Sequence, residues 1–316
     1  MRPGVVSVVV ASYNHAEFLA KRMESLLAQT YADLEILVID DRSPDDSVRR
    51  LQPFLSDRRV HLVEREQNGG WVVVFNQGIE LSSGEFLLFA NCDDDCDPRM
   101  IERLVAALTS NPSAGLAFCR SQLVDADDRV VGDDYAGRER AFRAKCATDA
   151  LISGREMSRF LLDSCVIPNM SAALIRRECF AALGPFTANY RMCGDWDLFF
   201  RIAARRDVAY VAEPLNRFRQ HETTIRSLMK DRVTYEEYFR LLLGQIQVLD
   251  LTFAERCRFR THVMYLWAVH LISPSWAGLA NFPCHLGFVV RYDPWALLFF
   301  GPSLMVRAVQ VLGKLV

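Results

Sequence analysis

The sequence predicts an α/β fold: a doubly wound, mostly parallel sheet flanked by helices, with a helical C-terminal extension. Short β-branched runs alternate with amphipathic segments over the first 120 residues, the pattern of strand–helix units built around a parallel sheet. Beyond residue 230 the periodicity is helical only. Two of the expected strands end in acidic loops, and ligands of such sheets bind outside the carboxyl ends of the strands.

Residues 5–10 are a β-branched run suited to burial on both faces of a sheet. Phe18, Leu19, Met23, Leu26 and Leu27 then recur at helical spacing, stopping near Gln29 and Thr30. Residues 34–39 form a second strand, closed by Asp40-Asp41-Arg42-Ser43-Pro44, and 45–54 can carry a helix. A third strand is expected at 60–63, and the Asn68-Gly69-Gly70 turn precedes a helix over about 72–81. Ser82-Ser83-Gly84 breaks that helix before a fourth strand at 85–90. Ile101, Leu104, Val105 and Leu108 share a helical face, and 115–119 resembles another strand. Residues 121–160 are polar and weakly periodic and read as loop and edge structure covering the site, whereas 161–225 return to compact patterning. Helices at 235–249 and 255–272 lead to an apolar tail from Trp276 to Val316, broken by prolines, whose few charges are Arg291, Asp293, Arg307 and Lys314.

A length of 316 residues allows one large domain or two smaller ones. With 51% hydrophobic and 24% charged residues the chain has globular composition, which excludes disordered, collagenous and low-complexity classes. A net charge of −2 supplies no field to attract nucleic acid. Nine irregularly spaced cysteines and no signal-cleavage pattern point to a reducing, cytoplasmic setting. No uninterrupted apolar stretch reaches the roughly 18 residues of a spanning helix.

Asn91-Cys92-Asp93-Asp94-Asp95-Cys96-Asp97 is the densest acidic cluster. Consecutive carboxylates at a strand end repel, and a bound Mg²⁺ or Mn²⁺ is a natural counter-charge. An EF-hand reading fails because Pro98 stands where that loop needs glycine. A zinc site from Cys92 and Cys96 lacks a second ligand pair. Asp97 with Pro98 also reads as a plain helix start. Asp40-Asp41 can accept an N–H from a pyrimidine or serve only as a turn, and Ser12-Tyr13-Asn14 offers either a ring that stacks on a base or a packed cap. Gly-rich dinucleotide and P-loop cradles are absent. Gly194-Asp195 opens a helix-like segment, where a carboxylate is favoured as the anion, whether as base or as cap. Arg217, Arg219 and His221 follow on what could be a solvated basic strand edge.

Taken together, these segments resemble the family-2 glycosyltransferases, inverting enzymes of the GT-A fold. The likeness rests on Ser7-Val8-Val9-Val10-Ala11-Ser12-Tyr13-Asn14, Ser25-Leu26-Leu27-Ala28-Gln29-Thr30-Tyr31 and Leu37-Val38-Ile39-Asp40-Asp41-Arg42-Ser43, in order and spacing. Asn76-Gln77-Gly78-Ile79-Glu80, Ser83-Gly84-Glu85-Phe86 and the acidic cluster ending in Pro98 continue it. It covers roughly 5–225, implying a glycosyltransferase domain over 1–225, with a nucleotide-binding half (1–120) and an acceptor half (121–225), and an extension over 226–316.

By position, the resemblance implies nucleotide contacts at Ala11, Tyr13, Asp41, Asn91 and Asp93. It implies metal ligation at Asp93 with His221, and a catalytic base at Asp195. Asp94 and Arg219 flank these positions as secondary residues. Ala11 stands where proline or threonine is common, Asn91 replaces the first aspartate of D-x-D, and Gly194 replaces an acidic residue. The R/Q-x-x-R-W element of processive synthases is missing, which favours transfer of a single sugar. The implied cofactor is Mg²⁺ or Mn²⁺. The implied donor is a nucleotide-diphosphosugar, UDP- or dTDP-linked by preference because of Asp41. The acceptor would be a glycan or lipid-linked molecule in cell-surface polysaccharide or glycolipid synthesis. A metal-dependent nucleotidyltransferase and a non-catalytic sugar-nucleotide-binding protein are the competing classes. The apolar tail suits peripheral docking on the inner membrane face or, equally, packing in a homodimer.

Overall fold

Val6, Val8 and Val10 point to one face of the first strand and Val9 to the other, and all four are fully buried. This is why β1 (Arg2–Ser12) lies inside the sheet, parallel to both its neighbours, β2 (Leu34–Asp40) and β4 (Gly84–Asn91). β3 (Val60–Glu64) pairs in parallel with β2. The coordinates are a computed structural model that describes residues 1–138, 140–221, 232–272 and 277–312. Contacts group the chain into two units, Met1–Leu161 with Cys165–His221, and Leu162–Ser164 with Glu222–Val316.

In the first unit the further strands are β5 (Asp95–Cys96), β6 (Ala114–Val124), β7 (Val130–Asp133), β8 (Ala150–Ile152), β9 (Ala173–Arg176) and β10 (Asp207–Arg219). The sheet order is β3-β2-β1-β4-β9-β6-β10-β5, with β7 on β6 and β8 on β10. The long ladders, including β10 with β6, are parallel; β9 is inserted antiparallel between β4 and β6. The expected mostly parallel sheet is therefore present, with short antiparallel additions.

Helices α1 (Ala16–Leu27), α2 (Ser47–Leu51), α3 (Trp71–Leu81) and α4 (Met100–Ser110) follow the first four strands and the acidic loop. Leu19, Met23 and Leu26 of α1 and Ile101, Leu104 and Leu108 of α4 pack with Val6, Val8 and Val10 in one core. Each such buried side chain contributes about 1.5–3 kcal/mol. On the opposite face α3 approaches closely at Gly78, where a Cβ would stand 2.3 Å from a Val9 methyl.

Residues 121–160 differ from the loop reading. β6 continues to Val124, and β7, α5 (Arg140–Lys145), β8 and the start of α6 (Gly154–Asp163) fill the stretch. β7 is almost wholly exposed, so it lacks the apolar alternation by which a strand is recognised. The basic segment before His221 is not a solvated edge either: it is the end of β10, flanked by β6 and β5. α7 (Arg177–Leu183) and α8 (Gly194–Ala203) complete this unit.

The second unit is helical. α9 (Arg232–Tyr238) continues through a π-helical turn at Phe239–Leu243 into α10 (Gly244–Val248). α11 (Phe253–Leu271) begins in a reciprocal cap, with the Glu255 amide donating to Thr252 Oγ1 and Thr252 N–H to Glu255. α12 (Ala277–Ala280), α13 (Phe282–Tyr292), a 3₁₀ turn at Pro294–Phe299 and α14 (Phe300–Leu312) follow. Trp267 of α11 is fully buried with its ring centroid 4.3 Å from that of Phe300. Asp293, fully buried, accepts from Arg260 at 2.6 and 3.1 Å. Among the described residues, Pro294–Val311, though interrupted by Arg307, is one helical run long and apolar enough, by length and composition, to cross a bilayer. Trp276 and Lys314 lie outside the described residues.

Candidate active site

The register of the parallel strands sets the site. Ser12 pairs with Asp40, and Ala11 with Asn91, so β2, β1 and β4 end together. Their outgoing loops bring Tyr13, Asp41 and Asn91–Asp93 to one edge. Ala11 is half-buried in β1 beside Ile39 and Asn91. Tyr13 is 44% exposed, so its ring is presented to solvent rather than packed as a cap. Asp40 turns the chain: it accepts from Ser43 N–H (2.8 Å), Ser43 Oγ (2.6 Å) and Ser12 Oγ (3.1 Å).

Asp41 is only 2% exposed. Its carboxylate pairs with the Arg65 guanidinium and accepts from the amides of Gly69 (3.0 Å) and Gly70 (2.7 Å). It therefore anchors the turn before α3 and carries Arg65 with it. The sequence singled out Asp41 but not these partners. Gly70 sits at φ +79°, a conformation that glycine adopts without strain.

The acidic cluster separates into distinct roles. Asp95 forms ion pairs with Lys21 (3.2 Å), Arg217 (2.9 Å) and Arg219 (3.3 Å). Asp97 accepts from the Arg99 amide at 2.9 Å and starts the turn into α4. Asp94 is buried and accepts from Ser171 Oγ (2.6 Å), Asn169 Nδ2 (2.7 Å) and the Arg219 amide (3.0 Å). Burial and the Asp93 charge push its carboxyl up to about 7, against the positive charge of buried Arg22 and the bonds from Ser171 and Arg219. Arg219 is 1% exposed and donates to Asp93 O (2.7 Å), Asp125 O (2.7 Å) and Asp128 Oδ1 (2.6 Å). Most of the counter-charge to the cluster is thus protein, and Asp94 and Arg219 are buried struts. The buried ion pair here is Arg219 with Asp95, and removing one member of such a pair costs about 3–5 kcal/mol, because the other is left charged and buried.

Asp93 is the exception. It is half-buried, and its Oδ2 lies 3.0 Å from His221 Nε2. Burial pushes its carboxyl up, but the His221 hydrogen bond and the charges of His15 and His221 outweigh this and hold it below the ordinary value. One ligand atom each from His15, Asp93 and His221 falls within 4.8 Å of the others. A carboxylate oxygen with two imidazole nitrogens suits a divalent ion. His15 escaped the sequence reading because a lone histidine before a helix carries no ligand signal.

Asp195 is the second residue of α8, half-buried, with its Oδ1 2.7 Å from the Trp196 amide that donates to it. Trp71 connects it to the strand ends. The Trp71 indole donates to Arg191 O at 2.9 Å, and its ring lies 2.7 Å from where a Cβ on Gly194 would stand. This accounts for glycine at 194: the ring occupies the space of a side chain. Asp41, Gly70, Trp71, Gly194 and Asp195 are thereby joined by direct contacts and chain neighbours. Trp71 was missed because its position reads as an ordinary first helical turn.

Residues 7–184 match the family model described as glycosyl transferase family 2. An uncharacterised glycosyltransferase of Nostoc sp. is 25% identical over 220 residues, 68% of this chain and 65% of its own. Glycosyltransferase GlyG of Streptococcus pneumoniae is 37% identical over 182 residues, 56% of this chain and 58% of its own. The match thus spans less than two thirds of either relative's length. The crystal structure of S. aureus TarS 1-349 in complex with UDP-GlcNAc gives a TM-score of 0.69 at 17% identity, covering 93% of this chain and 83% of that one. Mannosyltransferase PcManGT from Pyrobaculum calidifontis, in complex with GDP-Man and Mn²⁺, gives 0.55 at 15% identity, covering 97% and 86%. These two likenesses are of fold.

Proposed function

The chain belongs to glycosyl transferase family 2, and from that membership we propose that it transfers one sugar from a nucleotide-diphosphosugar to an acceptor hydroxyl, inverting the anomeric carbon. The observation that carries this reading is the contact path from the strand-end carboxylate Asp41 through Trp71 to Asp195. It links a half-buried carboxylate to the strand-end edge of the sheet.

The exposed Tyr13 ring stacks on the base, and Asp41 with Arg65 meets the base edge. Asp93, His221 and His15 would hold Mg²⁺ or Mn²⁺, which when bound neutralises charge on the departing diphosphate. Asp195 accepts the proton of the acceptor hydroxyl as that oxygen attacks C1. The new C1–O bond forms as the bond from C1 to the diphosphate oxygen breaks, through an oxocarbenium-like transition state. The α8 N-terminus favours the ionised form of Asp195. Incubating the full chain with UDP-, dTDP- and GDP-sugars, Mn²⁺ and candidate glycan acceptors, and reading the anomeric proton by NMR, should show inverted product. Retained configuration would overturn the single-displacement mechanism.

We further propose that the acceptor is met at a membrane surface, as in glycolipid or surface-polysaccharide synthesis. Trp295 (65% exposed), Leu298 (69%), Met305 (72%) and Val309 (69%) recur one or two helical turns apart, with Arg291 and Arg307 nearby. Apolar faces flanked by cations dock on anionic lipid. Full-length protein should float with anionic liposomes, and Leu298→Glu with Val309→Glu should abolish this without lowering the melting temperature. Unchanged flotation would reject the surface, and a shift from dimer to monomer on gel filtration would assign it to self-association instead.

A further inference from the structure

Arg120 stands on β6, on the sheet face covered by α5 and α6. Phe118, two residues earlier, meets Tyr210 with ring centroids 5.0 Å apart, and Phe142 of α5 meets both Tyr210 (5.7 Å) and Phe160 of α6 (5.3 Å). The Trp196 indole, next in the chain to Asp195, donates to Leu161 O of α6 at 3.1 Å. Arg120 also lies level with the strand ends: Phe118 pairs with Ala173, and the Asn91 amide donates to Ser171 Oγ at 3.0 Å. Since β9 separates β4 from β6, Arg120 is about two strand spacings, about 10 Å, from Asn91.

The loop after β7 holds one ring in place for this side chain. Asp133 Oδ1 accepts from the Tyr135 and Ala136 amides at 2.8 and 2.7 Å, and the Tyr135 hydroxyl donates to Arg143 O at 2.8 Å. The Arg120 guanidinium lies over the Tyr135 ring, 4.1 Å from its centroid. Asp134 is engaged elsewhere, by the Ser121 amide (2.7 Å) and Arg138 (3.1 Å). Arginines near the strand ends are held by carboxylates: Arg65 by Asp41, and Arg217 and Arg219 by Asp95. Arg120 differs. Among the described residues its guanidinium has no hydrogen-bond or ion-pair partner, and its buried Nε and the buried Tyr210 hydroxyl are both unsatisfied. Burial pushes the pKa of that hydroxyl up and the Arg120 charge opposes it, so the two donors are neighbours. Buried donors are ordinarily bonded, and an arginine stacked on a ring keeps its planar N–H fork for a carboxylate or phosphate.

We propose that Arg120, stacked on Tyr135, binds an anionic group of the acceptor, a phosphate or a carboxylate, and so selects charged acceptors over neutral ones. The inference rests on the functional reading above only in assigning the ligand to the acceptor: the donor diphosphate belongs at Asp93, two strands away.

The test is saturation-transfer NMR on the full chain, free of metal and nucleotide, with glucose 6-phosphate, glucuronate and methyl glucoside as probes. Wild type should bind at least one of the anions and not the neutral glycoside, and the tighter anion assigns the group as phosphate or carboxylate. Arg120→Gln should weaken anion binding at least about tenfold, the effect of one charge-assisted hydrogen bond, whereas Arg58→Gln, at an exposed position, should not. Arg120→Lys keeps the charge without the fork and should fall between. Because Arg120 holds no protein group in place other than the ring beneath it, Arg120→Gln should melt near wild type. Anion binding at wild-type affinity in Arg120→Gln, or none by the wild type, would overturn the proposal. In transfer assays Arg120→Gln should raise KM about tenfold for a phosphorylated or carboxylated acceptor and leave donor KM unchanged; a raised donor KM instead would overturn the assignment to the acceptor. Arg120-dependent anion binding beside a silent transfer assay would count against the functional reading alone.

Discussion

Asp195→Asn is expected to lower kcat by about 10²–10⁴-fold, the range removed with a general base, while donor affinity changes little. The substitution keeps an oxygen for the Trp196 amide, which donates to Asp195 Oδ1 at 2.7 Å, so the start of α8 is retained. An amide cannot take the acceptor proton. The neighbouring contacts of Trp71 with Gly194 and Arg191 do not involve the altered group. Steady-state kinetics with donor and acceptor varied separately check this. Wild-type kcat in the variant would remove Asp195 from the mechanism, and an equal loss of donor affinity would make it a binding residue.

Asp93→Asn is expected to abolish metal-dependent donor binding and to cost about 10³-fold in transfer, since metal Lewis acidity contributes several kcal/mol and each tenfold is about 1.4 kcal/mol. The side chain pairs with His221, whereas the Arg219 contact is to the Asp93 carbonyl. The buried network through Arg219 and Asp95 should therefore survive, and the variant should melt near wild type without metal. Calorimetry with a nucleotide-diphosphosugar, with and without Mn²⁺, separates this from unfolding. Donor binding that stays metal-dependent in Asp93→Asn would contradict the ligand assignment.

The strand ends were legible because the runs that end in Ser12, Asp40 and Asn91 are apolar on both faces and stop at polar residues. β9 was not: four residues, Ala173–Arg176, lie antiparallel between β4 and β6 without turn signals of their own. Arg219 misled for a physical reason. A charge normally marks a solvated position, but here the acidic cluster supplies its partners and the side chain is buried. The same cluster invited a metal, which the resemblance placed at Asp93, and the fold sets that carboxylate beside two histidines. His15 and His221 are distant in sequence, and only the parallel pairing of β1 with β4 and the insertion of β10 beside β5 bring them to one point. Asp41 was found by position, but its hold on Arg65, Gly69 and Gly70 depends on a turn whose geometry no periodicity encodes.

Thermal unfolding of the full chain against a panel of uridine, thymidine and guanosine diphosphosugars, with and without Mn²⁺, tests most directly whether this sheet edge is a donor site. Ligand at about a hundredfold over Kd adds about 2.7 kcal/mol to the folded state, enough to raise Tm by several degrees. The expected result is a rise for at least one donor with Mn²⁺ present, lost in Asp93→Asn. No rise across the panel, or the same rise in that variant, would contradict a metal-assisted donor site at Asp93.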